Sequence, residues 1–163
     1  MNPEDRLIVA TSTLSNDPPV GLGLFAFDDF KRGEIIATFV GIRRTIHDYD
    51  NRCEQGLGGY AVALRNGDVL DCYDGAKSGT CLASMANHSG ENGVGTQWSM
   101  RMGGFVPARS NSHIRVSGCV VQLIAGRIYE NFGDSDSDDD DDEAVAINVG
   151  DEILWNYKVT RLY

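Results

Sequence analysis

Apolar runs in this 163-residue sequence are short, and glycine, proline, asparagine or aspartate stops almost every one. Glycine alone fills 19 positions, well above the usual ~7% of residues. Such punctuation favours short strands and turns over long helices. With 42% apolar residues the chain can still pack a core, and wholesale disorder is excluded. At roughly 150 residues per domain the length suits a single domain.

The strand signals follow in order. Arg6 to Ala10 reads as a short strand, and Asn16-Asp17-Pro18-Pro19 as a turn, because proline fixes φ and removes a donor. Asp28 to Gly33 is a polar turn leading into Glu34 to Arg44, a β-branched run that predicts one strand. Arg43 to Gly59 is polar and carries no clear period. Tyr60 to Arg65 and Asp68 to Asp71 flank Asn66-Gly67, a hairpin signal of type I′. Cys81, Leu82, Met85 and Ala86 have the spacing of one helical turn. Gln97 to Met102, Ile114 to Val116, Cys119 to Ala125, Ala144 to Ile147 and Glu152 to Trp155 predict the remaining strands. The expected fold class is mainly β.

Charge is concentrated in one place. Asp134, Asp136, Asp138 to Asp142 and Glu143 hold eight negative charges, and taking those eight from a net −10 leaves −2. The segment 134–143 reads as a solvated acidic loop inserted in the domain, since like charges repel and resist packing. It could solubilise the surface, dock a basic partner, hold a cation weakly or accept phosphate at Ser135 and Ser137. The acidity argues against direct nucleic-acid binding, which needs clustered Lys and Arg. No apolar run approaches the ~18 residues of a membrane-spanning helix. The start, Met1-Asn2-Pro3-Glu4-Asp5, has no basic n-region and no apolar signal core, so an intracellular protein is expected. Cys53, Cys72, Cys81 and Cys119 form no C-x-x-C and read as buried free thiols in a reducing compartment.

Gly21-Leu22-Gly23-Leu24-Phe25-Ala26 satisfies G-x-G-x-x-G/A. A dinucleotide site would need a strand before it and a helix after it. A Pro-Pro loop precedes it and Phe27 to Gly33 leaves no room for the helix, so that reading fails. Asn87-His88-Ser89 alone could simply cap a short helix. Gly150-Asp151-Glu152-Ile153 alone could be a turn feeding a terminal strand.

Together and in order, these segments resemble a known family. Gly-x-Gly-x-Phe, a Lys31-Arg32-Gly33-Glu34 turn, Phe39-Val40-Gly41, Asn87-His88-Ser89 and Gly150-Asp151-Glu152-Ile153 with Tyr157 are similar to the SET domain of protein lysine methyltransferases. The resemblance spans Gly21 to Tyr157. It implies a single SET domain over 1–163, of short strands and loops, in which the Asn-His-Ser and Gly-Asp-Glu-Ile segments meet in a knot-like crossing. It implies S-adenosylmethionine (SAM) as cofactor, lying against the backbone of Gly21, Leu22 and Gly23. Asn87 and His88 would continue that pocket, and Tyr73 would also touch the cofactor. Tyr157 would be the catalytic tyrosine, with Glu152 supporting the crossing. Phe39 and Trp155 would line the substrate channel, and the breadth of Trp155 favours monomethylation. No metal is implied.

The chain departs from the family's usual pattern in four places. Ser89-Gly90-Glu91-Asn92 lacks a cysteine and a proline that usually follow Asn-His-Ser, and Phe39 stands where tyrosine is common. No cysteine follows Tyr157, so the zinc-binding post-SET cluster is missing, and only Lys158 to Tyr163 remain to close the channel. Either Tyr163 packs over the cofactor or the 43–59 stretch supplies a wall. The resemblance implies a basic protein substrate, with histone tails as the favoured class and a nuclear or cytoplasmic location. The alternative it leaves open is a non-catalytic SET module that binds a protein partner.

Overall fold

The computed structural model describes residues 2–14, 21–88, 96–99, 104–107, 110–126 and 145–155, with backbone alone at 88, 96–99 and 104–107. After a 3-10 turn at Pro3–Arg6 come β1 (Leu7–Thr11), β2 (Leu22–Ala26), β3 (Phe30–Lys31), β4 (Ile35–Thr38) and β5 (Ile42–Arg44). Helix α1 (Ile46–Glu54) leads to β6 (Ala61–Ala63), β7 (Val69–Asp71) and α2 (Tyr73–Ser78). A second 3-10 turn (Leu82–Met85) precedes β8 (Asn87–His88), β9 (Thr96–Ser99) and β10 (Gly104–Pro107). The chain continues through β11 (Ser112–Ser117), β12 (Val120–Ala125), β13 (Val145–Ile147) and β14 (Leu154–Trp155). The fold is mainly β, as the punctuated sequence predicts.

The largest sheet has five strands in the order β4-β12-β11-β14-β8. β11 and β12 form a tight hairpin, with Ser117 opposite Val120. Its loop puts Gly118 at φ +61° and Cys119 at negative φ, as a type II′ turn requires. β14 lies parallel to both of its neighbours, although they lie far back in the sequence. β5, β7 and β6 make a second sheet, β1 and β2 a third. One apolar cluster joins these sheets, built on Leu24, Phe30, Ile36, Leu123, Ile147 and Ile153. Arg6 braces the turn beside it: its guanidinium lies 4.0 Å over the Phe30 ring, pairs with Asp28 and Glu34 and donates to the Asp29 carbonyl.

Four local expectations need correction. The Glu34 to Arg44 run is two strands, because the chain bends at Phe39 to Gly41. A Cβ at Gly41 would stand 2.4 Å from the Asp71 carbonyl oxygen, so glycine lets this bend press against β7. The polar stretch after Arg43 holds α1, whose N-terminus is capped by Thr45: its hydroxyl accepts from the Asp48 amide and donates to the Asp48 carboxylate. The Asn66-Gly67 hairpin is real, but its turn is not type I′. Gly67 alone has positive φ, at +85°, and its N–H reaches the Leu64 carbonyl. That is a type I turn followed by a glycine bulge. Finally, Cys72 and Cys81 are buried whereas Cys53 and Cys119 are exposed.

The acidic segment 134–143 lies outside the described residues, as does the Asn16 to Pro19 turn. Among the described residues no helix is long and apolar enough to cross a membrane.

Candidate functional site

The glycine-rich motif is itself a strand. β2 pairs with β1 from Leu22↔Thr11 to Ala26↔Leu7, so no phosphate-binding helix follows it. The other edge of β2 meets the C-terminal segment: Ile153 N–H donates to the Leu24 carbonyl at 2.7 Å and Ala26 N–H to the Asp151 carbonyl at 3.0 Å. β2 is thereby clamped from both sides. The clamp turns the Glu152 side chain inward, where it is 2% exposed.

Four donors meet that carboxylate. Ser12 Oγ lies 2.7 Å from Oε1, and Thr13 N and Oγ1 each lie 2.8 Å from Oε2. Asn87 Nδ2 lies 3.0 Å from Oε1 and also 3.0 Å from the Leu22 carbonyl. Buried carboxylates require such donors, since burial without them costs several kcal/mol. Gly23 leaves the space: a Cβ there would sit 2.3 Å from Glu152 Oε1 and 3.1 Å from Asn87 Nδ2. Gly21, at φ +90°, faces open space, with nothing within 4 Å of where its Cβ would be.

Just beyond Glu152 the chain enters β14, between β8 and β11. Leu154 pairs with Asn87 and Trp155 with His88 on one side, and Trp155 with Ser112 on the other. Asn111 fastens the entry. Its side-chain amide donates to the Glu152 carbonyl and accepts from the Leu154 N–H, both at 2.9 Å, so it stands in for a strand neighbour. Ser112 Oγ adds a bond to the Leu154 carbonyl.

The structure brings together Gly21, Leu22, Gly23, Asn87 and the backbone of His88. It also joins Phe39 to Trp155, ring centroids 6.1 Å apart and edge-on. The Trp155 indole N–H donates to the Ala86 carbonyl at 3.2 Å, and both rings are buried. Tyr73 opens α2, where its ring meets Tyr60 at 6.1 Å. The Lys77 ammonium lies 5.3 Å from the Tyr60 ring and 5.5 Å from that of Tyr73. Tyr157 and the His88 side chain lie outside the described residues.

Ser12, Thr13 and Asn111 were not legible as site residues. Each is a small polar residue in a polar stretch, and only the three-dimensional crossing gives it a partner. A second polar knot lies across β5, α1 and β7: Arg44 and Arg52 both approach Asp71 Oδ2 at 2.8 Å, and Asp71 Oδ1 accepts from the Tyr73 amide. It anchors the start of α2 and hence Tyr73. Among the described residues no group of three or more histidine, cysteine or acidic side chains is arranged to hold a metal. No known protein-family model matches the sequence, and no curated protein matches it.

Proposed function

We propose that this chain is a SET-type protein-lysine methyltransferase that uses SAM, with basic protein tails of the histone class as substrate. The reading rests on the ordered motifs and is supported most by one observation. The Gly150 to Trp155 segment threads between the Asn87-His88 strand and Ser112, and its Glu152 ties Asn87 to the Gly21-Leu22-Gly23 strand. Motifs separated by 65 residues thus share hydrogen bonds, in the manner the resemblance implies for a knot-like crossing.

The residues present fit the cofactor. Gly21 has open space where a side chain would stand and Leu22 is half exposed, so this stretch leaves room for a ligand beside Asn87. When bound, SAM supplies an electrophilic sulfonium methyl. The protein's part is placement and desolvation. Holding the amine in line with the methyl converts an encounter into a positioned step worth several kcal/mol. The lysine must be neutral, although its ordinary pKa is about 10.4. An apolar channel lowers it by burial, and Phe39 and Trp155 are the apolar residues assigned to that wall. Tyr157 is assigned to orient the amine through its hydroxyl. The width of Trp155 favours a single transfer, because each added methyl needs room.

The test is transfer of labelled methyl from SAM to core histones and to isolated tail peptides, with product mass read by spectrometry. Monomethyl-lysine is the expected product. Tyr157→Phe is expected to lower turnover at least ~100-fold, on the scale of a lost positioned proton or amine partner, with SAM affinity within a few-fold. Wild-type turnover in Tyr157→Phe removes that tyrosine from the chemistry. SAM binding without transfer to any basic protein identifies a non-catalytic binding module instead.

A further inference from the structure

Two thiols that the proposed reaction does not use are packed into the core side by side. Cys72 stands at the N-terminal end of α2, and Cys81 precedes the second 3-10 turn. They are 1% and 0% exposed. Both sulfurs lie along one piece of backbone. The Val40 N–H donates to Cys81 Sγ at 3.2 Å, and a Cβ on the next residue, Gly41, would stand 2.9 Å from Cys72 Sγ. Gly75 completes the approach, since a Cβ there would meet Cys81 Cβ at 2.8 Å. Two glycines therefore let the chain close tightly around the two sulfurs.

The two thiols are not equivalent. The Val40 N–H donates to the Cys81 sulfur, whereas the Cys72 S–H points to the Leu70 carbonyl, 3.8 Å away, and the Ser84 hydroxyl donates to the Cys81 carbonyl. The Cys72 thiol beside it, and then the Val40 amide, outweigh burial and hold Cys81 below the ordinary thiol range. Cys72 is pushed up, first by the Cys81 sulfur beside it, then by burial and by the charges of Cys81 and Asp71. The site thus holds a nucleophilic sulfur with a resolving thiol against it, the arrangement from which a disulfide forms.

We propose that Cys72 and Cys81 are a reversible dithiol–disulfide pair that responds to hydrogen peroxide. The Cys81 thiolate attacks one peroxide oxygen; an S–O bond forms, the O–O bond breaks, and the departing hydroxide takes a proton to become water. The Cys72 sulfur, giving up its proton, then attacks the Cys81 sulfenic sulfur. An S–S bond forms, the S–O bond breaks, and the second hydroxide leaves as water. Two thiols lose two electrons and two protons, and one peroxide becomes two waters. A dithiol reductant reverses the change.

Access comes from α2 itself. It has six residues, no side-chain bond at its N-cap, and a left-handed Gly79 at its end. So short a helix is marginal by itself, and its local opening uncovers both sulfurs without global unfolding. Closure would tie the two ends of the segment that carries Tyr73. The pair stands independently of methyl transfer.

The experiment uses the full chain with Cys53 and Cys119, both exposed, replaced by serine, so that the core thiols stay native. The reduced protein is treated with hydrogen peroxide, quenched with a thiol-alkylating reagent under denaturing conditions, and digested without reductant. A peptide pair bridged between Cys72 and Cys81, lighter by two hydrogens and restored by dithiothreitol, is the expected result. On the same background Cys72→Ser is expected to leave a Cys81 sulfenic acid that dimedone traps. Full alkylation of both cysteines after peroxide, or oxidation of Cys81 to sulfinic acid with no bridged peptide, overturns the proposal.

Discussion

At the scale of single residues, Gly23 and Glu152 form one unit. A methyl at position 23 would occupy the place of Glu152 Oε1, so Gly23→Ala must displace a carboxylate that four donors hold. The expected loss is about 1–3 kcal/mol, the range for overpacking a filled site. In Glu152→Ala the main obstacle is gone and only the Asn87 amide, 3.1 Å from the added methyl, must give way, so adding Gly23→Ala should then cost less than ~1 kcal/mol. Urea unfolding of the two single variants and the double variant measures the coupling; purely additive losses would dissolve the unit. A second residue-scale prediction concerns pH. Cys81 is lowered from 9.0 to about 6, chiefly by the neighbouring Cys72 thiol and then by the Val40 amide. An acid lowered on folding adds stability that is complete above its unfolded pKa and lost as pH falls through its folded pKa. The stability gap between wild type and Cys81→Ser should therefore widen from about pH 6 towards pH 9 and stay flat below. Denaturation at a series of pH values reads this directly. An unchanging gap means the donors stabilise no thiolate.

At the scale of elements, legibility followed burial. β4, β7, β11 and β12 carry β-branched or leucine side chains into the core, so pattern and fold agree. α1 has no buried residue and thus no apolar stripe to betray it; its one signal was the Thr45–Asp48 cap. The 60–71 hairpin shows a finer limit. Asn-Gly announces a reversal, but loop length and strand register choose the turn, and here they put only Gly67 in left-handed space. Gly67→Ala is expected to cost about 1–2 kcal/mol, the penalty of a Cβ at positive φ. Asn66→Gly would help a type I′ turn. Here it should cost roughly 0.5–1 kcal/mol by loosening the unfolded chain, and more through loss of the Asn66 bonds to Asp68. Thermal melting of both variants distinguishes the two turns; a gain in Asn66→Gly would reverse the assignment.

At the scale of the whole molecule, the Gly21 to Gly23 stretch and Asn87 were linked in the sequence only because the ordered motifs resemble a family, and the structure puts them in hydrogen-bonding contact. Composition and periodicity stop at a mainly β fold, and the donors that complete the site, Ser12, Thr13 and Asn111, come from segments with no signal of their own. The acidic segment 134–143 is the largest charge feature of the chain. On the proposed function, deleting it is expected to leave the melting temperature and SAM binding unchanged while raising KM for a basic tail peptide. That rise should shrink as salt screens the attraction. Equal KM values at low salt would confine the segment to solubility.

Insertion of β14 between two earlier strands has a consequence for biosynthesis. Ser12 waits 140 residues for the carboxylate it serves. On the ribosome, β2 emerges with one edge bare, and β8 and β11 stand apart until the last strand arrives. Co-translational assembly of this core must therefore stall at a stage with unpaired strand edges, which are the surfaces that invite aggregation. Native structure should therefore appear only after the Glu152 to Trp155 segment has cleared the exit tunnel.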